Sequence, residues 1–218
     1  TAISLCTNFF NGFRYAVAGY MFEYCLHGNV TIEGLIINYT VFMAFGEVTC
    51  MIFGGLSPVF TKTVGSKRMA FFWSALLCLV LSIAFFFIPM SPDYIWVMIA
   101  LVILTSIGIG IYSPLMWSMY ADVADYHTEH FGTSATGLIF SSGTMSQKFG
   151  TAISGSLIAL FLGWAGANMI TDKMGNTVID PTSITDSVLM MVWSLFSLFP
   201  AVIAFLLMVL SYKFPIKK

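Results

Sequence analysis

Six long apolar stretches fill this chain almost end to end, and a bilayer is the only solvent that suits them all at once. They run over Ala2–Leu26, Leu35–Phe60, Met69–Pro89, Tyr94–Tyr120, Leu138–Ala165 and Ser187–Tyr212. A helix crosses the hydrocarbon core with about 20 mostly apolar residues, so each stretch is long enough to span it. The links between them are short and polar, which leaves nothing for a water-soluble domain. The expectation is an all-α membrane protein, with residues 1–218 forming one bundle of six transmembrane helices. Composition agrees: 9% of residues are charged, against about 25% in an average soluble domain. The 9 basic and 10 acidic residues form no clustered basic face, which argues against a nucleic-acid partner. Cys6, Cys25, Cys50 and Cys78 fall in apolar runs without paired spacing, so they read as small packing residues rather than a disulfide framework or metal site.

Lysine and arginine give the orientation. Lys62, Lys67 and Arg68 follow the second span, and Lys213, Lys217 and Lys218 follow the sixth. On the other side only Lys173 is basic. Six against one places both chain ends in the cytoplasm, in a plasma (inner) membrane. The acidic link 121–137 is then a cytoplasmic loop. The chain opens Thr1-Ala2-Ile3 with no basic segment ahead of an apolar core; no signal peptide is expected, and a longer protein is expected upstream.

Polar residues recur at helical spacing in three spans: Asn8, Asn11, Tyr15 and Gly19; Ser106, Gly110, Ser113, Trp117 and Tyr120; and Ser141, Thr144, Lys148, Thr151 and Gly155. Such faces suit a bundle built around a wet, solute-sized path. Close helix packing is the competing explanation for small residues such as Gly54-Gly55, Gly108, Gly110 and Gly150. Lys148 is the sharpest signal. A charged residue at mid-span costs about 2.5–3.5 kcal/mol on insertion scales and marks a function by default. Lying about ten residues inside its span, some 15 Å at the helical rise, it is too deep to snorkel easily. It can pair with a carboxylate or donate to a sugar hydroxyl. Arg14 also sits near mid-membrane and needs a partner from another span, with Glu47 one candidate. Glu23 lies near the outer end, where water can solvate it. Trp117 reads equally as a platform for a sugar ring or as an interfacial tryptophan.

Asp122, Asp125, His127, Glu129 and His130 crowd one short stretch. Three readings apply: a divalent-cation site, solvated charges at a helix end, or an inside gate in which carboxylates bond to basic groups of a neighbouring domain. No second acidic cluster faces this one, which weakens the metal reading.

Two segments together resemble a known family. One is Pro114-x-x-Trp117-x-Met119-x-Ala121-Asp122-Val123-Ala124-Asp125-Tyr126, and the other runs Gly137-Leu-Ile-Phe-Ser-Ser-Gly-Thr-Met-Ser-Gln-Lys148-Phe-Gly-Thr-Ala152. They are similar to the glycoside–pentoside–hexuronide:cation symporters, the melibiose-permease-like branch of the major facilitator superfamily. That family places an Asp-x-x-Asp-Tyr at the start of the loop between its tenth and eleventh helices, with glycines and then a lysine at fixed distance. Asp122, Asp125, Gly132, Gly137 and Lys148 match that pattern. The specific match covers about 45 residues; the rest agrees in the order and length of the spans.

The resemblance implies the C-terminal six-helix half of a twelve-helix sugar symporter, with an N-terminal six-helix half as partner and the substrate held between the two. It implies a small sugar or glycoside as substrate and co-transported Na⁺ or H⁺, whose ligands belong to the other half; no further cofactor and no metal are expected. Lys148 and Thr144 would take part in sugar binding or coupling, joined on the residue reading by Asn11, Arg14, Tyr15 and Trp117. Asp122, Asp125 and His130 would help close the cytoplasmic side. The family loop carries basic residues after the tyrosine, where this chain has His130 and Ser134, so a gate here would be pH-sensitive through His127 and His130. The function expected is secondary transport, not catalysis. The rivals are an intramembrane metal-dependent prenyl-type transferase using Asp122 and Asp125, and a six-span transporter that works as a homodimer.

Overall fold

The computed structural model describes residues 1–32, 35–171 and 177–214. Lys173, Lys217 and Lys218, which entered the charge count above, lie outside the described residues. The chain is mostly helical: α1 (Ala2–Tyr20), α2 (Tyr39–Val64), α3 (Lys67–Phe86), α4 (Ile95–Phe131), α5 (Thr136–Trp164), α6 (Asp186–Phe196) and α7 (Leu198–Tyr212). Two antiparallel hairpins depart from the all-α expectation, β1 (Val30–Ile32) with β2 (Leu35–Ile37), and β3 (Met169–Thr171) with β4 (Thr177–Ile179). Both lie at the same end of the bundle, opposite the end where Lys67 opens α3.

Local chemistry sets the boundaries. Asn38 caps α2 by accepting a hydrogen bond from the Val41 N–H at 2.9 Å. At its other end Gly65 takes the left-handed conformation (φ 80°) that a side chain disfavours, stopping the helix two residues before α3 begins. The first span ends differently from expectation: after Tyr20 the chain widens into a π-helical turn, Met21–Cys25, before it leaves the bundle. The last span is broken. α6 stops at Phe196 and α7 starts at Leu198, with Pro200 in the first turn of α7 unable to donate back to Phe196. Ser197 bridges the break by donating its hydroxyl to the Trp193 carbonyl at 2.6 Å.

One expectation needs correction. The stretch 121–137 is not a loop throughout: α4 continues helical to Phe131 and ends at Gly132 (φ 68°). Asp122, Asp125, His127, Glu129 and His130 therefore ride on helix turns at fixed angles. The sequence Ala-Asp-Val-Ala-Asp-Tyr-His-Thr-Glu-His holds no glycine or proline, so nothing in it breaks the helix.

α2 packs mainly on α4, α3 on α4 and α7, and α1 on α5 and α7. Glycines set how closely they approach. A Cβ on Gly110 would meet the Cys50 carbonyl oxygen at 2.6 Å, one on Gly108 would meet the Ser74 carbonyl at 2.9 Å, and one on Gly150 the Asn8 Cβ at 2.8 Å. These glycines are explained by packing. A Cβ on Gly55, by contrast, would meet nothing beyond its own helix within 4 Å. Two apolar clusters fill the interior. Phe13, Phe22, Phe42, Phe85, Trp193 and Phe196 anchor the one nearer the hairpins, and Phe10, Phe71, Tyr112, Met116 and Leu207 the one nearer Lys67.

Among the described residues, four helical segments are long and apolar enough to cross a membrane: Tyr39–Val64, Lys67–Phe86, Pro92–Phe131 and Asp186–Tyr212. α1 and α5 fall outside that set, because they carry the asparagines, Arg14 and Lys148. The Gly110 contact yields a direct test. Gly110→Val should force α2 from α4 and cost about 1–3 kcal/mol, the usual penalty of overpacking. Gly55→Ala should leave stability unchanged or raise it slightly. Thermal melts of both variants in detergent decide it.

Candidate functional site

α5 is a two-sided helix. Gly143, Ser146, Gly150, Ser154 and Ile158 are buried, and Gly150 and Ser154 lie directly against α1. Ser141, Thr144, Lys148, Thr151 and Gly155 are exposed on another face. The threonine hydroxyls of that face are already satisfied by their own helix: Thr144 donates to the Ser141 carbonyl at 2.9 Å, and Thr151 to the carbonyls of Gln147 and Lys148 at 3.1 Å. Lys148 is not. Its ammonium makes no hydrogen bond or ion pair with any described residue, although it lies well inside the helix.

α1 brings three of the expected residues to one place. Asn11, Arg14 and Tyr15 line a crevice with Glu47 of α2 and Ser106 of α4, with room of about 10 Å³, roughly one water. Arg14 is 5% exposed. Its guanidinium lies 5.8 Å from the centre of the Phe10 ring, and it borders a second crevice lined by Ser82, Phe85 and Thr105. Arg14 and Glu47 share the crevice without forming an ion pair, so the pairing expected from sequence is not made in this structure. Tyr15 is half-exposed. Trp117 belongs to an aromatic cluster: its ring lies parallel to Phe140 with centroids 6.1 Å apart, and Tyr120 sits at 5.8 Å. Gly143 gives these rings room, since a Cβ there would meet Tyr120 at 3.1 Å. A sugar platform at Trp117 would have only its other face to offer.

At the Lys67 end the acidic residues part company. Both carboxylate oxygens of Asp122 accept hydrogen bonds from Lys67 Nζ at 2.8 Å, and Asp122 is 9% exposed. Asp125 is exposed and makes no hydrogen bond to a described residue. His130 pairs its Nδ1 with the Tyr126 carbonyl at 3.0 Å and stacks on the Tyr126 ring at 3.9 Å, while His127 Nδ1 meets the Thr133 carbonyl at 3.0 Å. Asp122 is thus committed within this bundle, which leaves Asp125 and the histidine rings as the groups that can reach outward. The same geometry counts against a metal-dependent transferase at Asp122 and Asp125, because a lysine holds the first carboxylate and no group of three or more metal-ligating side chains forms among the described residues. Sequence reasoning used Lys67 only for orientation. Nothing in the sequence links it to Asp122, 55 residues away; the packing of α3 on α4 brings the two together.

Long apolar helices around a few isolated ionisable groups make an integral membrane bundle, and comparisons give its family. The chain belongs to the MFS/sugar transport protein family, whose model matches residues 2–218. It is similar to the inner membrane symporter YicJ of Escherichia coli strain K12, 30% identical over 129 residues, which are 58% of this chain and 27% of the relative. The glucuronide carrier protein homolog of the same organism is 33% identical over 114 residues, 51% of this chain and 24% of that protein. The matched stretches span about a quarter of those relatives' length. Among solved structures, the inward-open xylose transporter XylE from E. coli matches with a TM-score of 0.68 at 16% identity, covering 99% of this chain and 47% of that one. At that identity the likeness speaks for the fold.

The Lys67–Asp122 pair sets a test. Lys67→Ala should lower stability by about 2 kcal/mol, the worth of hydrogen bonds to charged groups at a largely buried site. Asp125→Asn should stay within about 0.5 kcal/mol, as surface changes do. A double-mutant cycle on Lys67 and Asp122, read by melts, should show coupling; purely additive losses would mean the pair contributes nothing.

Proposed function

We propose that this chain is the C-terminal six-span half of a sugar:cation symporter that moves a glycoside, pentoside or hexuronide with Na⁺ or H⁺ by alternating access. The observation that carries the reading is Lys148: an ammonium inside a long helix with no partner among the described residues, on a face of small and hydroxylated residues that the rest of the described bundle leaves uncovered. In a bilayer such a group needs a partner, and a second six-helix half with a sugar between the two provides one. Family membership supports the sugar, and the names of the similar proteins support symport and a hexuronide or glycoside. The XylE likeness, covering 47% of that chain, supports the two-half arrangement.

In this reading Lys148 donates hydrogen bonds to the sugar or to an acidic group of the other half. Asn11, Tyr15 and Arg14 line the path from α1, Thr144 flanks the lysine, and Trp117 backs it with its aromatic cluster. Asp125 and His130 contribute to closure of the cytoplasmic side, and the Lys67–Asp122 pair holds that end of α4 rigid. Both chain ends lie in the cytoplasm, and the membrane is the inner (plasma) membrane.

The test is gradient-driven uptake of labelled sugars into proteoliposomes containing the full-length gene product. Lys148→Ala should cut uptake by about a hundredfold or more, as loss of a charged group acting in translocation does. Thr144→Ala should cost less than about threefold, because its hydroxyl already serves its own helix. Uptake untouched by Lys148→Ala would reduce the lysine to a structural role. No uptake with any sugar or gradient from folded protein would overturn the symport reading.

A further inference from the structure

A roomy, open cavity lies away from Lys148, at the hairpin end, where α1, the start of α2 and the β3–β4 hairpin converge, and has a volume of about 760 Å³. The crevices at Arg14 hold about 10 Å³ each, too little for a sugar ring. Binding cavities for small ligands run from about 300 to 1,000 Å³.

Tyr20, Tyr24 and Tyr39 line this cavity together with Glu23, Gly19 and Thr177. Tyr20 and Tyr24 stand one turn apart with rings nearly parallel (17°, 6.2 Å). Their hydroxyls are fixed by the hairpin. Tyr20 donates to the Thr177 carbonyl at 3.1 Å, and Tyr24 donates to the Ile179 carbonyl at 3.3 Å while accepting from the Ile179 N–H at 2.9 Å. With their polar tips spoken for, the rings are held in place and offer apolar surface. Tyr39 is 51% exposed. Glu23 is exposed on the π-helical turn and makes no hydrogen bond to a described residue. Such widened turns are rare and recur at functional sites.

Rigid aromatic surface beside an unengaged carboxylate is the chemistry that recognises a carbohydrate. Ring C–H faces lie on the tyrosines, and hydroxyls donate to the carboxylate in charge-assisted bonds. A cation fits less well, since it needs several oxygen ligands; one carboxylate lines the cavity and two tyrosine hydroxyls are taken. We propose that this cavity is a second sugar-binding subsite, in which Glu23 accepts from the sugar and Tyr39 stacks on it. It rests on the symporter reading and extends it: Glu23 lies about 18 Å along α1 and the π-helical turn from Asn11, toward the outer side, and the subsite receives the glycoside before the Lys148 face does.

The test uses the full-length transporter in proteoliposomes, with labelled methyl glucoside, methyl xyloside and methyl glucuronide as probes. Glu23→Gln and Tyr39→Ala should each raise KM about tenfold while the maximal rate stays within about twofold, the mark of lost binding rather than lost translocation. A cysteine at Ala16, on the cavity wall, with all native cysteines changed to serine, should react with a charged maleimide more slowly when the transported sugar is present. Tyr39→Ala should abolish that protection. Unchanged KM in both variants, a fall in maximal rate with KM unchanged, or labelling indifferent to sugar each overturns the subsite. If the wild type shows protection but no gradient-driven uptake, the subsite stands and symport falls. If it shows neither, both fall.

Discussion

A polar group inside a bilayer has no water to turn to, and how each one here finds a partner governs the rest of the structure. Most hydroxyls use their own helix. Thr7, Thr49, Thr61, Ser74, Thr105, Ser146 and Ser154 each donate to the carbonyl four residues earlier. A serine or threonine satisfied in this way sits in a membrane helix at little cost. A stripe of such residues is therefore weak testimony to a wet path. The weight falls on groups that cannot be satisfied locally: Lys148 on its exposed face, and Arg14, buried beside Phe10 with Glu47 in the same crevice.

The close helix contacts follow from the same constraint. With lipid as apolar as leucine, helices gain little by hiding apolar surface from it, and contact has to come from close fit and cross-helix hydrogen bonds. Gly110 brings α2 and α4 together, and nearby Ser57 donates to the Ile111 carbonyl at 3.0 Å. Gly150 and Gly12 do the same between α1 and α5. α5 is thereby fixed along one side by α1, which settles the direction in which Lys148 points. Positioning the lysine is a result of glycines on the opposite face, not of any partner it holds itself.

The six apolar stretches were legible because hydropathy and length act residue by residue, and the helices follow them closely. What escaped was contextual. The extension of α4 to Phe131 was obscured by its charges, which suggested a loop although nothing in them breaks a helix. The break at Ser197 is written in Pro200, but its place depends on how α6 and α7 pack on α1 and α3. The hairpins are three-residue strands inside what looked like links and span ends, too short to show a pattern. In the site, Lys148 and Arg14 stood out because charge in a membrane is conspicuous. Lys67–Asp122 did not, since a pair 55 residues apart is found by tertiary structure alone, and the tyrosines at the hairpin end carry no charge or motif that singles them out.

Whether the exposed face of α5 meets water or lipid decides the role of Lys148, and cysteine accessibility reads that directly. In the full-length protein in native membranes, with the native cysteines replaced by serine, single cysteines would be placed at Ser141, Thr144 and Thr151, and at Ser146 and Ser154. Labelling by a charged, water-soluble maleimide at the first three but not the last two would put Lys148 in an aqueous path. An unreactive Ser141, Thr144 and Thr151 face would mean that it lies against lipid or sealed protein, and would contradict the assignment of Lys148 to a transport pathway.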